Sequence, residues 1–177
     1  MPAHPAKSQP HPKLTFEPFD KKKHDRSGFS CGNEPLDTYL KQRASQDLEK
    51  RVAAVMVLTP DGKTIAGYYT LSQYAIHLGS LPEDIAKKLP KYPELPATLL
   101  GRLARSTAFK GQGIGELLLM GALKRSLDQS LSVASMAVVV DAKDAQAKAF
   151  YSEYGFIELP DHPNRLFLPM ATIEQMF

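Results

Sequence analysis

Three glycines within five residues, set between a strand-like run and a helix-like run, constrain this chain more than anything else in it. The segment is Lys110-Gly111-Gln112-Gly113-Ile114-Gly115-Glu116-Leu117-Leu118. Residues 97–106 before it read as a strand. After it Ile114, Leu117, Leu118 and Ala122 recur at helical spacing, which predicts a helix over residues 114–127. Glycine lets a backbone turn tightly and approach a ligand closely, and successive N–H groups then form an anion nest. The helix N-terminus adds its partial positive charge. The unit is therefore a pyrophosphate cradle inside a strand–turn–helix. A dinucleotide fingerprint would need a third glycine where Leu118 stands, and a Walker A loop would need Gly-Lys-Ser/Thr at its end, so both are excluded.

The rest of the chain alternates strands and helices. Residues 14–19 alternate apolar and polar, as a first strand does. Asn33 is placed to cap a helix in which Leu36, Leu40, Ala44 and Leu48 repeat every four residues. Residues 52–59 and 64–77 flank the turn Pro60-Asp61-Gly62-Lys63 as a hairpin. Ser80-Leu81-Pro82-Glu83 has capping-box spacing and opens a short helix to Leu89. Pro90, Pro93 and Pro96 then impose an extended loop. A buried strand is predicted over residues 131–141, and a helix over 142–154 stopped by Gly155. Two last strands flank Pro160-Asp161-His162-Pro163. The order β-α-β-β-α-β-α-β-α-β-β describes a mixed α/β (α+β) fold, a central mixed twisted sheet flanked by helices. Residues 14–177 suit a single domain, and the polar, Pro-rich residues 1–13 a disordered or tag-like tail.

No apolar run approaches the roughly 20 residues that span a bilayer, so no membrane role is expected. Cys31 is the one cysteine, which rules out an internal disulfide and suits a reducing cytoplasm. The five histidines show no metal-ligand spacing, so no metal is expected. Charge is uneven. Residues 85–125 carry eight Lys/Arg against two acids, and residues 126–177 three bases against seven acids. The basic stretch suits a polyanionic ligand, although a charge run by itself is more often a solvated face.

The glycine segment also resembles the acetyl-CoA motif of GNAT acetyltransferases, Gln/Arg-x-x-Gly-x-Gly/Ala. Lys110 stands where Gln or Arg is usual. A second GNAT pattern, Asn-x-x-Ala-x-x-x-Tyr-x-x-x-Gly-Phe, is matched by Asp144, Ala147, Tyr151, Gly155 and Phe156, with Asp144 in place of Asn. The resemblance implies that the strand ending Leu103-Ala104-Arg105 pairs its main chain with the pantetheine arm of acetyl-CoA. It implies that Lys110, Gly111, Gln112, Gly113, Ile114 and Gly115 receive the pyrophosphate, with Asp144 at the second motif. Tyr151 falls where many GNAT enzymes hold a hydroxyl beside the thioester sulfur.

Several segments resemble, more narrowly, the GNAT-fold toxins of bacterial toxin–antitoxin systems. They are Phe29-Ser30-Cys31-Gly32-Asn33-Glu34-Pro35-Leu36-Asp37-Thr38-Tyr39-Leu40, Ala66-Gly67-Tyr68-Tyr69-Thr70-Leu71-Ser72, Leu100-Gly101-Arg102-Leu103-Ala104, Val138-Val139-Val140-Asp141-Ala142-Lys143-Asp144 and Arg165-Leu166-Phe167-Leu168-Pro169-Met170. The resemblance implies a toxin that acetylates the α-amine of aminoacyl-tRNA and is silenced by a ribbon-helix-helix antitoxin, often as a homodimer. Lys87, Lys88, Lys91 and Arg102 are then candidate tRNA contacts, although a structural role for Arg102 stays open. An α-amine titrates near ~7.7–8.0, so a strong base is dispensable, while a departing thiolate gains from a proton donor such as Tyr151. Two other readings remain: a GNAT enzyme acting on a small amine or a protein, and a non-catalytic acyl-CoA-binding module.

Overall fold

The computed structural model describes residues 13–177. Of the tail expected over residues 1–13, residues 1–12 lie outside the described residues. The strands are β1 (Thr15–Pro18), β2 (Ala54–Thr59), β3 (Gly67–His77), β4 (Glu94–Arg105), β5 (Ala137–Asp141), β6 (Ile157–Leu159) and β7 (His162–Pro169). They form one sheet in the order β1-β2-β3-β4-β5-β7-β6. Only β4 and β5 run parallel; every other pair is antiparallel. The mixed α/β fold expected from the sequence is what forms.

Helices cover both faces. On one face α4 (Ile114–Gln129) and α5 (Ala145–Glu153) bury Leu118, Leu119, Leu123 and Tyr151 against Tyr69, Leu71, Val138, Val140 and Leu166. Truncating one of these leucines to Ala would cost about 2–5 kcal/mol. On the other face α1 (Glu34–Thr38), a π turn (Tyr39–Arg43) and α2 (Ala44–Glu49) run on as one helical stretch. Asn33 caps α1, its side chain accepting from Leu36 N, as expected. Tyr39, Leu40 and Ala44 pack there on Val55, Val57 and Tyr68. Further along that face Leu81, and Ile85 of α3 (Glu83–Ala86), pack on Ile76, Ala97, Val139 and Phe167.

Five local expectations are corrected. Ser80 does not cap α3. It lies inside the 3-10 turn Leu78–Ser80, closed by Leu81 N donating to Leu78 O, so Pro82 takes the cap position with no side-chain bond. That helix is a single turn and does not reach Leu89. Pro96 belongs to β4, not to a loop, because its carbonyl accepts from Met136 N and the position needs no N–H in the ladder. The run at residues 131–136 is not strand: Leu131 and Val133 are 90% and 59% exposed, and the ladder with β4 takes in only residues 138–140. A closing helix, α6 (Met170–Glu174), had no counterpart in the expected order.

One irregularity positions everything that follows. Thr70 opposes Arg102 and Leu71 opposes Leu100, which leaves Gly101 unpaired as a β-bulge. A Cβ at Gly101 would stand 3.1 Å from Thr70 Oγ1. β4 pairs with β5 at residues 98–100 and no further. Beyond the bulge β4 keeps β3 but loses β5, so the β5-side backbone edge of residues 101–105 is bare.

Candidate active site

The gap between β4 and β5 is a cleft of about 560 Å³. Leu103, Ala104 and Arg105 line it from the bare edge of β4, and Gly115, Asp144, Ala147 and Tyr151 from α4 and α5. An edge of unpaired N–H and C=O groups is what an amide-bearing arm such as pantetheine needs. At the start of α4 Gly111 and Gly113 have φ of +79° and +70°, the left-handed region that favours glycine. No side chain caps α4, whose 16 residues align their dipoles on this end. Gly115 lines the cleft; Lys110, Gly111, Gln112, Gly113 and Ile114 do not. Ile114 is fully buried in the core beneath the turn. Asp144 uses Oδ1 to accept from Ala147 N at 2.8 Å, so it starts α5 as a cap while lining the cleft. The bare edge and the uncapped, positively polarised turn together fit an acyl-CoA.

Tyr151 is 8% exposed and stands on the α5 wall of this cleft. Burial pushes its hydroxyl up to about 12, so it is a protonated donor at any physiological pH. Cys31 lines the opposite wall, where burial and the nearby Asp37 push its thiol up to about 11. A thiol that holds its proton so firmly is a poor nucleophile. Among the described residues no group of three His, Cys, Asp or Glu gathers as a metal site.

A second groove, of about 800 Å³, shares Leu36, Gly101, Arg102 and Asp141 with the first. Its other walls are Pro35, Tyr39 and Arg43 of the first helical stretch and Leu99 of β4. Arg102 lies over the Tyr39 ring, its guanidinium carbon 3.5 Å from the ring centre. The two spaces meet at the break in the sheet.

The basic stretch does not converge on one spot. Arg102 and Arg105 line the clefts, but Lys87, Lys88 and Lys91 follow α3, near the end of β4 that begins at Glu94. Seven strand residues, about 23 Å, separate that end from Gly101. Sequence reasoning also passed over three residues. Asp141 sits where both spaces meet and accepts from Arg165, which in turn donates to the Tyr74 hydroxyl. They come from three strands, so no linear spacing could have shown them together.

Residues 97–171 match the acetyltransferase (GNAT) domain. The chain is 33% identical over 172 residues to a probable toxin TacT of Sinorhizobium fredii, covering 93% of this chain and 95% of that one. It is 31% identical over 146 residues to a tRNA-acetylating toxin of Mycobacterium tuberculosis, covering 82% and 86%. Its fold is similar to that of AtaT complexed with acetyl-methionyl-tRNAfMet, with a TM-score of 0.84, 32% identity, and 93% and 99% of the two chains covered. It is also similar to a Tyr-to-Phe variant of AtaT bound to acetyl-CoA and the C-terminus of its antitoxin AtaR, with a TM-score of 0.79, 28% identity, and 93% and 98% covered. The chain belongs to the GNAT acetyltransferases, in the family of the toxins TacT and AtaT.

Proposed function

We propose that this protein is a toxin that transfers the acetyl group of acetyl-CoA to the α-amine of aminoacyl-tRNA, so that the charged tRNA no longer serves translation. The observation that carries the reading is the meeting of two spaces at Gly101, one suited to an acyl-CoA and one open to an acceptor. The bare edge at Leu103, Ala104 and Arg105 would bind the pantetheine amides. The N–H groups from Gly111 to Gly115 would take the pyrophosphate, with Lys110 beside them.

The neutral amine nitrogen then attacks the thioester carbonyl carbon. The C–N bond forms, the C–S bond breaks, and the electron pair leaves on sulfur. The nitrogen loses one proton and the sulfur gains one, so free CoA thiol and an N-acetyl aminoacyl-tRNA result. Tyr151 would give its hydroxyl hydrogen, or a hydrogen bond, to the departing sulfur. The single-stranded aminoacyl end can enter a groove that a duplex cannot. Arg102 would meet it inside, while Lys87, Lys88 and Lys91 would meet phosphates further along the acceptor arm.

The reading carries partners with it. A ribbon-helix-helix antitoxin would silence the enzyme, and two copies would pair as a homodimer. The site of action would be the cytoplasm, where charged tRNA is found. Residues 14–177 would form the one catalytic domain.

The test is transfer of radiolabel from acetyl-CoA. Charged tRNA is expected to take the label, and uncharged tRNA to take none. Label on free amino acids or polyamines, with charged tRNA inert, would move the assignment to a small-amine acetyltransferase.

A further inference from the structure

We infer that Asp141, neutralised by Arg165 and held in place through Tyr74, receives the acceptor amine and keeps it in its unprotonated form. The inference rests on the aminoacyl-tRNA reading and names the part of the site that handles the amine.

Asp141 is the last residue of β5 and the one acid that lines both spaces. Asp144 lines only the first and is engaged in capping α5; Glu34 lines only the second. The carboxylate of Asp141 accepts from Arg165 Nε at 2.7 Å and from Nη2 at 3.4 Å. Arg165 Nη1 donates to the Tyr74 hydroxyl at 2.7 Å, so the guanidinium is fixed from both sides. Asp141 and Arg165 are cross-strand partners, whereas Tyr74 reaches them from β3, on the far side of β4. The Asp141 side chain is still 55% exposed, so the carboxylate has lone pairs to offer the groove.

A cross-strand pair at a strand end can be structural alone. Its position argues for more. An attacking amine must be neutral, yet it needs an acceptor to orient its N–H bonds. A bare carboxylate would orient it but would also stabilise the ammonium form, because an opposite charge within a few ångströms favours the charged state. A carboxylate already paired with a guanidinium accepts the N–H with far less net charge. The pair therefore serves as an oriented, nearly neutral acceptor. The other charged groups lining the two spaces with Asp141 are Arg102 and Arg105 on β4, Glu34 and Arg43 on the first helical stretch, and Lys143 and Asp144 just after Asp141 itself. Four bases against two acids also disfavour an ammonium.

Asp141 would touch the substrate; Arg165 and Tyr74 are positioning residues. The experiment is steady-state acetylation of charged tRNA across pH, at saturating acetyl-CoA, with acetyl-CoA affinity measured by calorimetry on the same variants. Asp141→Asn is expected to lower kcat/KM for charged tRNA by roughly tenfold or more, the effect of a lost charge-assisted hydrogen bond, with acetyl-CoA affinity unchanged. Arg165→Met leaves the carboxylate bare, so the acidic limb of the kcat profile should move up by about one pH unit as the bound amine holds its proton longer. Asp141→Asn combined with Arg165→Met should return that limb to its wild-type position. Tyr74→Phe loosens Arg165 without removing it and should shift the limb the same way by less, which keeps the test open if Arg165→Met folds poorly. Activity of Asp141→Asn within twofold of wild type would overturn the proposal. So would folded Arg165→Met or Tyr74→Phe variants that are slower with an unmoved limb. Charged tRNA left unlabelled by the wild-type protein would instead overturn the substrate reading.

Discussion

Arg102 stacks on Tyr39, its guanidinium carbon 3.5 Å from the ring centre, in the wall where the two spaces of the site meet. Tyr39 opens the π turn and donates its hydroxyl hydrogen to Asp47 at 2.8 Å, which holds the ring still. Burial and that acceptor raise its phenol well above the usual range, so the ring stays neutral. No ion pair among the described residues engages Arg102. A rigidly held, unpaired guanidinium is suited to a phosphate or a stacked base. Arg102→Ala should raise KM for charged tRNA about tenfold or more, the effect of a lost charge-assisted hydrogen bond to phosphate. It should also reduce the salt slope of binding by about 1, with acetyl-CoA affinity unchanged. Steady-state kinetics at several salt concentrations check both. An unchanged KM would leave Arg102 a structural role.

The cradle is tested at Gly113. Its φ is +70°, and a Cβ there would meet nothing within 4 Å, so volume is not what the position resists. Gly113→Ala should therefore cost only backbone strain, about 1 kcal/mol, and weaken acetyl-CoA binding modestly. Gly113→Asp adds a carboxylate where the uncapped helix end would receive pyrophosphate, and should abolish binding. Calorimetry on the folded variants separates the two effects. Binding by Gly113→Asp within threefold of wild type would place the phosphates elsewhere.

For Tyr151 the informative change is Tyr151→Phe, which keeps the ring packed against Phe150 and Phe156 and removes only the hydroxyl. Turnover should fall by roughly 10²–10⁴, the range for a positioned acid. Acetyl-CoA affinity should hardly change, because the interaction matters in the transition state. The hydroxyl's upward shift to about 12 keeps it almost entirely protonated up to about pH 10. Activity should accordingly show no basic limb from this group between pH 7 and about 10. Unchanged turnover in Tyr151→Phe would refute the assignment; a limb in that window lost in Tyr151→Phe would keep the role and overturn only the raised pKa.

The stability of the scaffold is most exposed at Gly67, where β3 begins beneath α4. A Cβ there would stand 2.8 Å from the Ala104 carbonyl and 2.7 Å from Leu118 Cδ1. Backbone cannot yield as a side chain can, so Gly67→Ala should destabilise the fold by about 1–3 kcal/mol. Urea unfolding followed by circular dichroism measures it. A midpoint equal to wild type would mean that β3 and β4 can separate at this end without cost.

Much of this molecule was legible in the linear sequence because the devices involved are local. Gly113 at the start of α4, Asn33 at the cap of α1 and Gly155 after α5, with its φ of +94°, each satisfy backbone groups a few residues away. Strand and helix order followed from periodicity, and Tyr151 from its place in a motif. The run at residues 131–136 misled because apolar residues form a strand only where a neighbour supplies a ladder of hydrogen bonds, and β4 reaches the run only at its last residue, through Met136 N and the Pro96 carbonyl.

Tertiary structure alone decided the rest. The bulge at Gly101 exists because β4 must keep β3 while parting from β5, a condition set by three strands together. The basic stretch, continuous in sequence, is dispersed because α3 and β4 carry Lys87 and Arg102 to different ends of the sheet. Tyr74 and Arg165, 91 residues apart, meet only because the sheet lays β3, β4, β5 and β7 side by side. Local chemistry sets what each short segment can be; the pairing of distant strands sets which side chains share a site.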